Sequence, residues 1–463
     1  MPELLCRFPG DFRWGVAVAS HQVEGDNYNN QWWAWEKDPG HIAEGHRSGS
    51  ACQWWANPEP DLDRAAQLGL NALRLSLEWS RIEPRPDVWD EAALSRYLSL
   101  LRAIRARGME PMVTLHHFTD PLWLAERGGW ENPETPERFA QYVHKVVEAL
   151  GSECNLWCTV NEPNVYAFFG YVQGLFPPGK QDLRAAGVVL RHLMEAHARA
   201  YRAIHAVQPL ARVGLAHHMR VFDPACALSP LDRFLAWFFD RAFNRSCLEP
   251  LVHGRLIFPA GRGDASHLRG TLDWIGLNYY TRDPIALALR RAEFLLARRK
   301  YGPGAELLDG GYGEFYPLGM FRCLRRLARL GLPIYVTENG LPDADDDQRP
   351  RYLLTHLYQV WRAIQQGWPV GGYYHWTLVD NFEWAAGWTL RFGLFALDPE
   401  TQIRQPRPSA QVYAAVVRSR GIPVELAVQY APELRPATRQ AQQGRRSWLG
   451  RHCRELEDPR GNP

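Results

Sequence analysis

The sequence predicts an α/β protein, a closed (β/α)8 barrel forming a single domain over residues 1–422. Eight short segments rich in β-branched and aromatic residues recur along the chain. Helical patterns separate most of them, and polar residues gather at the C-terminal end of nearly every segment.

The first segment, FRWGVAVAS (12–20), leads into Gln22 and Glu24 of SHQVEG. The second, ALRLSLEW (72–79), carries Arg74. The helical stretch 90–108 follows, with Leu94, Tyr97, Leu98, Leu101 and Ile104 on one face, Asp90 placed to cap it and Gly108 to stop it. The third segment, PMVTLHH (111–117), ends in His116-His117, and a helix over 135–151 then aligns Phe139, Val143, Val146 and Leu150. LWCTVNE (156–162) ends in Asn161-Glu162, and RVGLAHHM (212–219) contains His217-His218. DWIGLNYY (273–280) ends in Asn278, Tyr279 and Tyr280, and PIYVTEN (333–339) brings Glu338 to its tip. A helix over 350–367 aligns Leu353, Leu357, Val360 and Ile364 before the last segment, GGYYHWTLV (371–379), which carries Trp376.

An open doubly wound sheet would also alternate strands and helices. It normally carries a glycine-rich turn from strand to helix for a nucleotide, and none follows any segment here. DGGYG (309–313) follows no strand and lacks a phosphate-binding lysine, so it reads as a surface loop. The longer loops at 26–60, 168–184 and 296–317 are the ones placed to shape a pocket. From 423 the composition shifts toward Arg, Gln and Pro, which marks 423–463 as a C-terminal extension; a basic helix around 445–456 is the other reading of that stretch.

With 463 residues, 46% of them hydrophobic, the chain holds ample material for a large core. A net charge of +2 gives no electrostatic case for nucleic acid. The N-terminus lacks a basic start followed by an apolar run, and no apolar stretch is long enough to span a membrane. Eight scattered cysteines then read as reduced thiols, and cytoplasmic residence is expected.

Two carboxyls facing each other across a pocket are what cleavage of a glycosidic bond requires. Glu162 and Glu338, each beside an asparagine at a strand end, fit that need. One glutamate alone in such a position reads more readily as a solvated or salt-bridged surface residue. His116-His117 and His217-His218 lack HExxH or comparable spacing, so no metal is expected. Tryptophans can cover the apolar face of a sugar ring, but any one alone, such as Trp237 or Trp361, is assigned to the core.

Six blocks resemble family 1 of the glycoside hydrolases, the retaining β-glucosidase and β-galactosidase group. They are FRWGVAVASHQVEG (12–25), NALRLSLEWSRIEP (71–84), WCTVNEPN (157–164), DWIGLNYYT (273–281), PIYVTENG (333–340) and YYHWTLVDNFEWAAGWTLRFGLFALD (373–398). The resemblance implies a TIM barrel, no cofactor, and small β-glycosides or oligosaccharides as partners, with a homo-oligomer as a further option. It further implies that Glu162 is the acid/base and Glu338 the nucleophile. Asn161 would hold the sugar 2-hydroxyl. Gln22, His117, Trp376, Glu383 and Trp384 would bind the glycone, while Arg74, Asn278 and Tyr280 would surround the nucleophile.

The chain departs from the common pattern at His117-Phe118, where HW is usual, and DNYNNQWWAW (26–35) resembles the archaeal-type branch. Members acting on 6-phosphorylated sugars usually replace the glutamate of NFEW and supply a lysine and a tyrosine after strand eight. Here Glu383 is present and no lysine follows Lys300, so neutral sugars are expected. A glycosyl-transferring enzyme and a non-catalytic sugar-binding homologue remain as alternatives.

Overall fold

The structure, a computed structural model, describes residues 2–290 and 295–434. Eight parallel strands close into a barrel: β1 (Arg13–Ala17), β2 (Ala72–Ser76), β3 (Glu110–His116), β4 (Leu156–Asn161), β5 (Arg212–His218), β6 (Trp274–Asn278), β7 (Ile334–Asn339) and β8 (Val370–Trp376). Each strand pairs with its neighbour in sequence, and β8 pairs with β1 to close the ring. Every residue of β2, β4, β6 and β7 is buried, because helices cover the outer face while side chains fill the lumen.

The crossovers carry α1 (Glu59–Gln67), α2 (Glu91–Ala106), α3 (Thr135–Leu150), α4 (Leu183–Val207), α5 (Pro230–Phe239), α6 (Leu318–Ala328) and α7 (Arg349–Gln365), and α8 (Pro408–Ser419) follows β8. The start of α2 shows why it begins where the sequence predicts. Asp90 Oδ1 accepts from the amides of Ala92 and Ala93 at 2.9 and 3.0 Å, and Gly108 ends the run with a left-handed φ of 75°.

Alternate strands close the N-terminal end of the lumen with one polar layer. Arg13 of β1 and Arg212 of β5 both pair with Glu110 of β3, and both reach the Tyr335 hydroxyl of β7, at 3.3 and 3.4 Å. Glu110 is drawn below the usual carboxylate range: burial opposes this, and the two guanidinium groups outweigh it. With that end plugged, the C-terminal mouth is where a ligand can enter.

Leu4–Arg7 pairs antiparallel with Gly421–Pro423. Helix Val424–Tyr430 follows, with Ala427, Ala431 and Leu434 buried in the main core. Residues 435–463, including the basic helix considered around 445–456, lie outside the described residues. The seven described cysteines are unpaired thiols, and all but Cys226 are buried. No described helix is long and apolar enough to cross a membrane. Trp237 corrects its assignment to the core. It lies on the outer side of α5 with 54% of its surface exposed, because α5 packs inward through Ala236 and Phe239 instead. Trp361 is half-buried against the core.

Candidate active site

At the tip of β7, Glu338 is held between two fixed neighbours. Asn339 donates to the Tyr279 carbonyl and to the Tyr352 hydroxyl at 2.6 and 2.9 Å. A Cβ on Gly340 would stand 1.9 Å from the Trp376 carbonyl oxygen, so only glycine lets β7 leave the barrel this close to β8. Arg74 crosses the lumen from β2, donating through Nε to Thr114 Oγ1 at 3.1 Å and through Nη1 to the Thr337 carbonyl at 3.3 Å. The same Nη1 pairs with Glu338 Oε1, and the Tyr280 hydroxyl donates to Oε2 at 2.7 Å.

Glu162 stands where β4 turns into the short helix Pro163–Phe168, with a left-handed φ of 45°. That backbone costs a glutamate about 1–3 kcal/mol. Phe118 and Trp384 share the feature, with φ of 67° and 52°, so three strained non-glycine residues surround one pocket. Glu162 Oε1 accepts from Asn278 Nδ2 at 2.8 Å and meets His218 Nδ1 at 2.8 Å. Asn278 also donates to Asn161 Oδ1 at 3.2 Å, which takes a second bond from Arg74 Nη2 at 2.6 Å. The His218 ring stacks on Tyr280 at 5.7 Å. One network of hydrogen bonds and ring contacts therefore joins the two glutamates.

The charges in this network are coupled. Burial drives the Glu338 carboxyl up to about 7, with Arg74 opposing and the Glu162 charge adding to the rise. Burial also raises Glu162, but His218, Asn278 and Arg74 outweigh it and hold that carboxyl below the usual range. The two glutamates titrate as a pair, which keeps one proton until about pH 7. Hydrogen-bond donors decide where it sits. Arg74 and Tyr280 occupy both oxygens of Glu338, whereas Glu162 Oε2 accepts from no described group. Taken singly those shifts would leave the proton on Glu338, but there it would compete with the Arg74 and Tyr280 donors, whereas Oε2 of Glu162 is open to it.

Beyond the pair, Gln22 Nε2 donates to the Phe382 carbonyl at 2.8 Å and to Glu383 Oε2 at 3.1 Å. Burial pushes Glu383 up to about 8; Gln22 opposes the rise and the Glu338 charge adds to it. Asn161 Nδ2 donates to His117 Nε2 at 3.0 Å, which leaves the proton of a neutral His117 on Nδ1. Burial, Arg74 and His116 keep that ring neutral. His117 Nδ1 and Gln22 Oε1 are buried without partners among the described residues, a donor and an acceptor left open for a polyhydroxylated ligand. Trp376 and Trp384 stack against His117 at 6.0 and 5.9 Å. Phe118, Trp32 and Phe176 back Trp384 at ring distances of 5.3, 4.8 and 6.4 Å.

Carboxyls, an open donor and acceptor, and flat aromatic walls suit a sugar. The model of glycosyl hydrolase family 1 matches residues 5–422. The chain belongs to glycosyl hydrolase family 1. A β-galactosidase of Sulfolobus acidocaldarius is 34% identical over 90% of this chain and 96% of its own. β-Glucosidase A of Thermotoga maritima is 31% identical over 90% and 99%. Among solved structures, the β-glycosidase from Pyrococcus horikoshii matches with a TM-score of 0.83 at 35% identity, covering 93% of this chain and 98% of the other. The T. maritima β-glucosidase in complex with glucoimidazole matches with a TM-score of 0.85 at 30% identity, over 90% and 100%.

Every site residue named from the sequence of this family 1 hydrolase lies at the barrel mouth. Within the histidine pairs each ring turns to its own partner. His116 Nε2 meets Asp120 Oδ1 at 2.9 Å, and His217 Nε2 meets the Asn244 carbonyl at 2.7 Å. His218 was missed as the partner of Glu162. Its place at the end of β5 was the available signal, since successive strand residues face opposite sides. Tyr312 was missed as well: DGGYG is a surface loop, exposed at Asp309, Gly310 and Gly311, yet it carries one ring inward. The turn delivers the Tyr312 ring to Tyr280 and Phe392 at 5.8 and 5.4 Å. No local pattern announced that, because the loop's path depends on what it packs against.

Proposed function

We propose that this family 1 glycoside hydrolase is a retaining β-glycosidase acting on small neutral β-glucosides and β-galactosides, with Glu338 as nucleophile and Glu162 as acid and then base. The supporting observation is the shared network. Glu338 is saturated with donors from Arg74 and Tyr280, and Glu162 keeps one oxygen free. Glu338 attacks the anomeric carbon while Glu162 hands its proton to the departing oxygen. Esterification removes the charge of Glu338 and with it the main reason for Glu162 to hold a proton. Glu162 then takes a proton from water, which releases the sugar with its configuration retained.

Asn161 is poised to bond the 2-hydroxyl, with Gln22, His117 and Glu383 around the remaining hydroxyls and Trp376 and Trp384 against the ring. The presence of β-galactosidases and β-glucosidases among the relatives supports testing both epimers. Cytoplasmic residence belongs to the same reading.

The test compares wild type with Glu338→Ala on 4-nitrophenyl β-D-glucoside and β-D-galactoside, following the anomer of the first product by NMR. Turnover with retained β-configuration, and a loss of several orders of magnitude in the variant, is the expected result. An initial α-product would sink the double-displacement assignment.

A further inference from the structure

Large apolar side chains scattered singly over a surface are ordinary, whereas a cluster of them marks a contact. Sixteen such side chains are exposed among the described residues, and eight of them lie between Leu228 and Leu296. Seven of the eight come from two elements that pack together. One is α5, with Leu231, Phe234 and Trp237 on its outer side and Leu228 just before it. The other is the chain around Leu289, Leu295 and Leu296, where the Ala288 amide donates to the Leu296 carbonyl at 2.8 Å. Asp232 fastens the two. Its Oδ1 accepts from the Leu287 amide at 3.0 Å and its Oδ2 from the Cys226 amide at 3.2 Å. Ala236 and Phe239, on the inner side of α5, share a buried cluster with Ile285 and Ala297, which leaves the outer side uncovered. Phe234 meets Trp237 at 5.8 Å and Phe238 at 6.4 Å, and Phe238 meets Phe258, the eighth residue, at 5.5 Å. The apolar face is therefore continuous.

Cations border this face and answer to no carboxylate. Arg233 and Arg290 are exposed, Arg241 is half-buried, and none of the three makes an ion pair among the described residues. The nearby acids are engaged elsewhere, Asp232 by the two amides and Asp240 by Arg326 and Asn244. A second copy of the chain would serve such a face badly. In a two-fold interface the same patch meets itself, which turns each unpaired arginine toward like charges. Anionic lipid headgroups supply the missing counter-charge, and the boundary beneath them takes Leu, Phe and Trp side chains.

We propose that the outer side of α5, with the adjoining segments 287–290 and 295–297, is a docking face for a bilayer surface that carries anionic lipid. Phe234 and Trp237 enter the headgroup boundary, and Arg233, Arg241 and Arg290 lie among the lipid phosphates. This is contact with one leaflet; it places no helix across the membrane. Docking of this kind is independent of what the barrel mouth hydrolyses.

The experiment is co-sedimentation of the full chain with vesicles of pure phosphatidylcholine and of phosphatidylcholine mixed equally with phosphatidylglycerol. Phe234→Ser with Trp237→Ser removes the rings, Arg233→Gln with Arg290→Gln removes two charges, and unchanged melting temperatures show that both double variants fold. Partition onto the mixed vesicles should exceed that onto phosphatidylcholine roughly tenfold or more, and fall by roughly the same factor without the rings. It should drop about fivefold for each arginine removed and weaken as salt is raised. Cys226, the exposed thiol at the start of this face, takes a polarity-sensitive dye in a Cys453→Ser background, and its emission should move to the blue on the mixed vesicles. No partition at low salt, partition that ignores both double variants, or a Cys226 dye that stays in water overturns the proposal. A dimer that the ring variant dissociates, in a chain that never meets lipid, overturns it too and gives the face to a second copy.

Discussion

Glu338 and Glu162 have the same side chain and sit at similar strand tips, yet their surroundings divide the work. Both oxygens of Glu338 accept from cationic or phenolic donors, and one oxygen of Glu162 is left open. Catalysis as proposed needs one proton and one charge on the pair. The proton leaves near the value to which burial raises Glu338, about 7, so activity falls as pH rises through that point. The lower step belongs below the usual glutamate range, since His218, Asn278 and Arg74 outweigh burial at Glu162; activity is therefore lost on the acid side only below ordinary glutamate values. A bell-shaped kcat/KM profile with those limbs is expected, and a flat profile above pH 7 would refute the assignment. Glu162→Gln should slow departure of a poor leaving group such as methanol by roughly a hundredfold or more, while a dinitrophenolate leaving group feels far less. Comparing the two substrates tests whether Glu162 gives up a proton at all.

At the level of elements, local chemistry sets boundaries and tertiary contacts set orientation. Helix α2 begins at Asp90 because one carboxylate oxygen satisfies two amides that the helix leaves open. Asp90→Ala should cost about 1 kcal/mol of stability, read by chemical denaturation, and leave kcat unchanged. Helix α5 shows the opposite dependence. It buries Ala236 and Phe239 and leaves Leu231, Phe234 and Trp237 more than half exposed, although all are large and apolar. Its sequence is hydrophobic around most of its circumference, so periodicity could not tell the inner face from the outer. Trp237 was assigned to the core as any lone tryptophan is by default, and nothing in this helix's pattern could correct that.

Across the whole molecule, the barrel divides stability from chemistry between its two ends. The Arg13–Glu110–Arg212 layer with Tyr335 plugs the N-terminal end, and the paired strands Leu4–Arg7 and Gly421–Pro423 join the chain's first and last described portions. The C-terminal mouth gathers Glu162, Glu338 and Glu383, and the cation among them, Arg74, is already paired with Glu338. A doubly charged phosphate entering that mouth would meet these carboxyls, with Arg74 already engaged by one of them. Kinetics with 4-nitrophenyl β-D-glucoside and its 6-phosphate should favour the neutral substrate by at least a hundredfold in kcat/KM. Preference for the phosphate would overturn the neutral-sugar reading.

The sequence by itself determined the eight-stranded barrel, the capped helices and the two glutamates at strand tips. Each is written in short-range pattern: β-branched runs, a helical apolar stripe, or a charge set against a turn. It also carried Gln22, His117, Asn161, Trp376, Glu383 and Trp384, through blocks that resemble a family. Only the tertiary structure decided which histidine holds Glu162 and that Tyr312 reaches Tyr280. Those facts join residues dozens of positions apart, or more, whose partners are fixed by barrel closure and by how loops pack over its mouth. Local pattern records which way a residue points; it does not record what arrives from the other side.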